Sequence, residues 1–373
     1  MNMKPMILAV FFGTAAPGLV RGQTAQFQPG QLAVLRAGDG QVKQHLKQAP
    51  VFVDQFDPKT LNDAPSFTVQ IPTNGVNSFF FNSHAATEGV LSRSADRRLL
   101  VFAGYGGVDL LAKPGVPSLL DIERGFCTVD AGGGVKTLLY QSAASTEKIN
   151  PRGGASDGTN NFWGCGSALA TLYFNPVDRK TPLKFASVPT TRAMKIIGQA
   201  LFATLNEADA TAMDNKPGIY QFVDDAGNPL ALPRQGSAKV NLLVPAASAY
   251  TKISGFDMNP EKTIAYLADN AAGIQKYVKS GADWKLANNF AIPQNIPAAE
   301  NHAAGCFGLA VDFSGAAPVI YATTTEGYGG TVNSNRVVRI VDTNATAVVS
   351  TVAQSHSANI AFRGIDFTPE AGK

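Results

Sequence analysis

Short apolar runs broken by turn residues recur along almost the whole chain, and helical periodicity is scarce. "RLLVFAGY", "TIAYLAD" and "VIYATTT" are nearly continuous in apolar residues, which predicts strands covered on both faces rather than one. Asp-Gly, Asn-Pro, Ser-Gly and Gly-Asn pairs sit between the runs, where tight turns demand them. Only Ala200 to Met213 hints at a short helical turn.

Aligned by their turns, the runs form a repeat of four strands, a to d. Gly89 to Gln141 reads "GVLSRSAD", "RLLVFAGY", "GFCTVDAGGG", "VKTLLYQ". The order returns in Pro151 to Pro189, Thr191 to Pro233, Ile253 to Phe290 and Cys306 to Val352, with "PLALP" as strand d of the Thr191 unit. The N-terminal region offers three strands, "QLAVLRAGD", "PVFVDQFDP" and "SFTVQIP", matching b, c and d, and the final "FRGIDFTP" matches the missing a.

Radial repetition of four-stranded antiparallel sheets protects sheet edges by closing into a ring. The predicted fold is therefore an all-β, six-bladed β-propeller with four antiparallel strands per blade. The strand at 359–369 completes the N-terminal blade at 31–72, so that the two chain ends pair in one blade, and 23–373 forms a single domain. Seven blades is the alternative, with the extra strand drawn from "KVNLLVPAASAY".

The segments "HAATEGVLSRSADRRLLVFAGY", "AYLADNAAGIQKY", "IYATTT" with "NRVVRIVD", and "AFRGIDFTP" resemble exported propellers related to the surface-layer, YVTN-type repeat group. The resemblance covers nearly all the chain after residue 22 and implies a propeller and export. It lends no catalytic residues.

Composition fits the pattern, since 36 Gly, 22 Pro and 22 Phe with only 16% charged residues suit many short strands and turns. Residues 1–22 read as an export signal, with Lys4 ahead of the apolar "MILAVFF" and small or tolerated residues before Gln23. No run approaches the roughly 20 apolar residues of a membrane-spanning helix, so no membrane insertion is expected and localisation is secreted, periplasmic or extracellular. Removing Lys4 and Arg21 takes the formal charge from +3 to +1, and the other basic residues are interspersed with acids, which argues against nucleic acid as a partner.

The long b-to-c connections, Gly106 to Arg124, Asn206 to Pro217 and Glu326 to Asn335, fall on the same face as the d-to-a connections. Long loops on a rigid scaffold are where binding usually resides. Three of the four histidines, His84, His302 and His356, lie in d-to-a connections, with Glu300 near His302 and Glu88 near His84. With Glu300 they form a candidate divalent-metal or acid–base set, although polar loops also simply tolerate His. Arg93, Arg152, Arg192 and Arg363 stand at the starts of four inner strands, and with Glu88 they are the candidate ligand contacts. Guanidinium groups there suit carboxylate, sulfate or phosphate, or they brace the blades through Asp96, Asp157 and Asp366.

Other signals are weaker. Cys127, Cys165 and Cys306 lie in apolar runs and read as buried thiols, with a Cys127–Cys165 disulfide as the alternative. "DAGGGVKT" joins two strands, so it is a turn and not a phosphate loop, and "GCGSA" lacks the nucleophile-elbow pattern. Trp163 and Trp284 read as blade-packing residues.

Together these features predict an exported binding or interaction module whose ligand site lies on the loop-rich face at the channel mouth, taking a small molecule, glycan or protein. The alternative is a propeller-mouth enzyme, a metal-dependent lactonase or hydrolase or a sugar oxidoreductase, for which no decisive motif is present.

Overall fold

The computed structural model describes residues 26–41, 48–82, 87–107, 122–140, 150–167, 171–186, 188, 191–206, 216–234, 238–248, 251–293, 305–326, 335–343, 348–355, 357 and 359–372. The predicted leader at 1–22 lies outside them. Every regular element among the described residues is a strand.

The chain begins with β1 (Leu32–Ala37), β2 (Gln48–Phe56), β3 (Phe67–Gln70) and β4 (Phe79–Asn82). Next come β5 (Ser92–Arg93), β6 (Leu99–Gly106), β7 (Glu123–Asp130) and β8 (Val135–Tyr140). Four antiparallel sheets of four strands follow, each in sequence order. They are β9 (Pro151–Ser156) to β12 (Leu183–Ala186) through β10 (Phe162–Gly166) and β11 (Thr171–Phe174), and β13 (Thr191–Ile197) to β16 (Lys239–Pro245) through β14 (Ala200–Leu205) and β15 (Gly218–Val223). Then β17 (Ile253–Met258) runs to β20 (Asp283–Phe290) through β18 (Ile264–Asp269) and β19 (Gly273–Ser280), and β21 (Cys306–Asp312) to β24 (Val349–Gln354) through β22 (Val319–Thr324) and β23 (Arg336–Val341). The last strand, β25 (Ala361–Phe367), pairs antiparallel with β1, which pairs with β2, and β2 with β3.

These sheets pack face to face in a propeller-like arrangement, and their buried clusters sit between neighbours. Phe126, Phe162 and Phe174 fill the space between the β6 and β10 sheets, with stacked rings 5.4 Å and 6.4 Å apart. Trp163, Met194 and Tyr220 fill the next, where the Trp163 indole N–H donates to Pro233 O at 2.6 Å. Leu32, Val34, Tyr321, Val337 and Ile365 pack the β22 sheet onto β1 and β25. Both faces of each middle strand are covered, so side chains that alternate between faces are apolar on either.

The inner strands of successive sheets touch in the order β5, β9, β13, β17, β21, β25, and β25 also touches β5. Their backbones approach so closely that glycine is required. A Cβ on Gly364 would lie 2.2 Å from Leu91 N, and one on Gly308 would lie 2.6 Å from Arg363 O.

Ala200–Leu205 is strand β14, the second strand of the Thr191 repeat as its turns predict, with side chains buried on both sides; the rest of the Ala200 to Met213 helical hint beyond Asn206 lies outside the described residues. Two local expectations fail. The fourth strand of that sheet is β16 from "KVNLLVP", not "PLALP", since Pro229 and Pro233 have no N–H to extend a ladder. The stretch that would have fed a seventh blade is thereby taken up. Finally, Phe79–Asn82, which falls in a connection of the predicted repeat, is a bridging strand. It pairs with β2 at Gln48–Pro50 and with β6 at Tyr105 and Gly106, merging the first two sheets into one of nine strands.

Candidate functional site

The inner strands run in one direction, as two contacts between β25 and the Glu88–Arg93 segment show. Gly364 N donates to Gly89 O at 2.8 Å, and further along both chains Arg93 N donates to Asp366 Oδ2 at 3.0 Å. Polar side chains therefore gather in two layers: one where the inner strands begin, on the side of the d-to-a and b-to-c connections, and one where they end.

Glu88 centres the first layer. It is 0% exposed, and its Oε2 accepts from Asn82 N at 2.8 Å, at the end of the bridging strand β4. Its Oε1 lies 3.3 Å from the Tyr105 hydroxyl, whose single proton is shared between it and Asn150 Oδ1 at 3.1 Å. Arg363 and Arg152, 3% and 7% exposed, supply positive charge from inner strands on either side. Burial pushes the Glu88 carboxyl up to about 8, against the opposing pull of the Asn82 N–H, Arg363, Tyr105 and Arg152. Burial likewise lowers Arg363 to about 10, with Glu88 acting in the opposite sense. The Arg124 guanidinium lies 5.5 Å from the Tyr105 ring centroid and donates to Ile122 O at 3.0 Å.

The second layer is a set of ion pairs. Lys195 Nζ stands 3.5 Å from Asp257 Oδ2 and 3.6 Å from Asp366 Oδ2, and donates to Leu309 O at 3.0 Å. Arg93 joins through Asp366, with Nε 3.8 Å from Oδ1, and reaches Glu370 at 3.7 Å. Burial works against the charge on Lys195, but the Asp257 and Asp366 carboxylates outweigh it and hold the ammonium above its ordinary range.

The four arginines thus do not share one level. Arg93 lies in the ion-paired layer, bound to Asp366, so it braces the strands; Arg152 and Arg363 flank Glu88 in the other. Arg192 is less buried, and its carbonyl accepts from the Cys165 thiol at 3.3 Å. Of the other proposed braces, Asp96 pairs with its neighbour Arg98 at 2.5 Å and Asp157 lies 3.8 Å from Arg234. Sequence reasoning missed Asn82, Tyr105, Asn150, Lys195 and Asp257. Lys195 was the most visible of these, being a lysine inside the apolar run "AMKII".

The candidate metal set, His84, His302, His356 and Glu300, lies outside the described residues. Among the described residues, no group of three or more His, Cys, Asp or Glu could hold a metal ion. The three cysteines are free and buried, with Cys165 pushed up to about 12 by burial, so the alternative Cys127–Cys165 disulfide is not formed. No helix among these residues is long and apolar enough to cross a membrane.

No family model matches the sequence, and no curated protein matches it. Among solved structures, a chain from the crystal structure of a nidogen/laminin complex aligns over 90% of this chain and 98% of its own, at 10% identity and a TM-score of 0.51. A gluconolactonase from Xanthomonas campestris aligns over 93% of this chain and 99% of its own, at 10% identity and a TM-score of 0.44. At such identity a likeness speaks to fold alone, and the first supports a β-propeller.

Proposed function

We propose that this chain is an exported six-bladed β-propeller acting as a binding module, with its ligand site at the loop-side mouth of the channel. The circuit of inner-strand contacts, from β5 through β21 to β25 and back to β5, supports a closed ring of six blades. One observation carries the site: a buried carboxyl, Glu88, set between the buried guanidinium-bearing side chains of Arg152 and Arg363. At neutral pH the carboxyl retains its proton, so the three groups together carry a net positive charge. That charge suits an anionic group such as the carboxylate of an acidic sugar, with Arg192 nearer the rim.

Titration calorimetry at pH 7 with glucuronate, inorganic phosphate and sulfate tests this. Binding of at least one probe is expected, weakened tenfold or more in Arg363→Gln and Arg152→Gln variants that stay folded. Failure of all three to bind, or equal binding by the variants, would sink the anion site. A protein partner docking on the same face is the second reading, favoured by the likeness to a chain that belongs to a protein–protein complex.

A further inference from the structure

We propose that Lys195 is a cross-channel latch that holds the C-terminal strand β25 in the ring, an inference that rests on the six-blade reading. The ammonium is carried by β13, yet its partners belong to β17, β21 and β25: Asp257 at 3.5 Å, Leu309 O at 3.0 Å and Asp366 at 3.6 Å. Whichever way the circuit is followed, two other inner strands stand between β13 and β25: β17 and β21 one way, β9 and β5 the other. A side chain from one therefore reaches the other by crossing the space that the inner strands surround, rather than by passing along the wall.

The partners are themselves fixed. Asp257 Oδ2 accepts from Val311 N at 3.0 Å and Oδ1 from Met258 N at 2.9 Å. Asp366 Oδ2 accepts from Arg93 N at 3.0 Å and Oδ1 from Phe367 N at 2.8 Å. Arg93 and Lys195 balance the two aspartates, so the layer is electrically complete as it stands. Withdrawing β25 would take one of its two carboxylates from Lys195 and leave Arg93 without Asp366. The ladder to β1 holds β25 at its edge, and the latch holds it from inside the channel. In this reading Lys195 ties closure of the ring to the inner strands of three other sheets.

Hydrogen exchange read by mass spectrometry on the full mature chain tests the latch, comparing peptides over β25, β17 and β20. Lys195→Met and Asp366→Asn should each speed exchange in Ala361–Phe367 at least tenfold more than in the outer strand Asp283–Phe290. Asp257→Asn should act chiefly on Ile253–Met258. If Lys195→Met is too unstable to purify, Asp366→Asn carries the same comparison from the other side of the contact. Exchange in β25 that stays within twofold of wild type, or that rises only in step with β20, would overturn the latch. If wild-type β25 exchanges as fast as an unstructured peptide, the closed ring itself fails and the latch with it.

Discussion

The two polar layers along the inner strands use the same kinds of residue to opposite ends. Where the inner strands finish, two aspartates face Lys195 and Arg93, so every charge has a counter-charge, and the contacts tie five inner strands together. Where the strands begin, Arg152 and Arg363 flank one carboxyl that burial keeps protonated near neutrality. A balanced layer is a brace, and its net charge offers nothing to a ligand. Surplus positive charge is what the proposed anion site rests on. The difference shows why arginine on an inner strand says little by itself: depth along the strand decides its role, as Arg93 and Arg363 illustrate.

Breaking the brace should give the largest effect. Lys195→Met leaves Asp257 and Asp366 buried without their shared ammonium, and removal of one partner from a buried pair costs about 3–5 kcal/mol. Denaturant unfolding at pH 7 should show that loss. Asp257→Asn added to Lys195→Met should recover part of it, because the carboxylate that then remains, Asp366, still faces Arg93. A Lys195→Met variant as stable as wild type would mean that the brace contributes nothing net.

The mouth should respond to pH instead. Burial pushes the Glu88 carboxyl up to about 8 in the folded chain against an ordinary value of 4.5, so between those values the folded state keeps a proton that the unfolded state has lost. Its contribution is whole below 4.5, declines as pH rises through that window and levels off above about 8. In Glu88→Gln this loss should vanish, with wild type falling behind the variant by on the order of a few kcal/mol at pH 9 relative to pH 5. Parallel pH profiles for the two proteins would place the Glu88 titration elsewhere. Anion binding should weaken over the same upper range, as the carboxylate cancels part of the arginine charge.

Much of the framework was legible because blade packing leaves a plain mark. Leu99–Phe102, Ile264–Leu267 and Val319–Ala322 are apolar on both faces, and turns such as Ser280-Gly281, between β19 and β20, separate successive strands. β16 was misplaced because "PLALP" and "KVNLLVP" are equally apolar, and only the prolines distinguish a strand that can extend a ladder from one that cannot. β4 was invisible for a related reason: three phenylalanines in a row do not reveal that the strand pairs with two different sheets. The site was half legible. Glu88, Arg152 and Arg363 were found from their positions at inner-strand starts, but β5 ladders with β6 over only two residues. Gly89 O and Val90 N bond instead to β25 and β9, and this draws Glu88 in between those inner strands. Tyr105 and Asn150 could not be assigned to it, because Tyr105 meets Glu88, and Asn150 meets Tyr105, only through that tertiary arrangement.

Tyr105 offers the finest test of the mouth. Its hydroxyl contact with Glu88 favours the ionised carboxylate, so it draws the carboxyl down from where burial alone would put it. Tyr105→Phe should therefore move the upper edge of the Glu88 window to higher pH, extending the decline in stability beyond 8. It also removes the hydroxyl's bond to Asn150, so stability at pH 6 should fall by only about 1 kcal/mol, the net worth of a typical hydrogen bond. A pH series of unfolding midpoints, set beside wild type and Glu88→Gln, separates the two effects. A fall of that size with the upper edge unmoved would mean that Tyr105 serves Asn150 alone, leaving the Glu88 carboxyl to be set by burial and its two arginines.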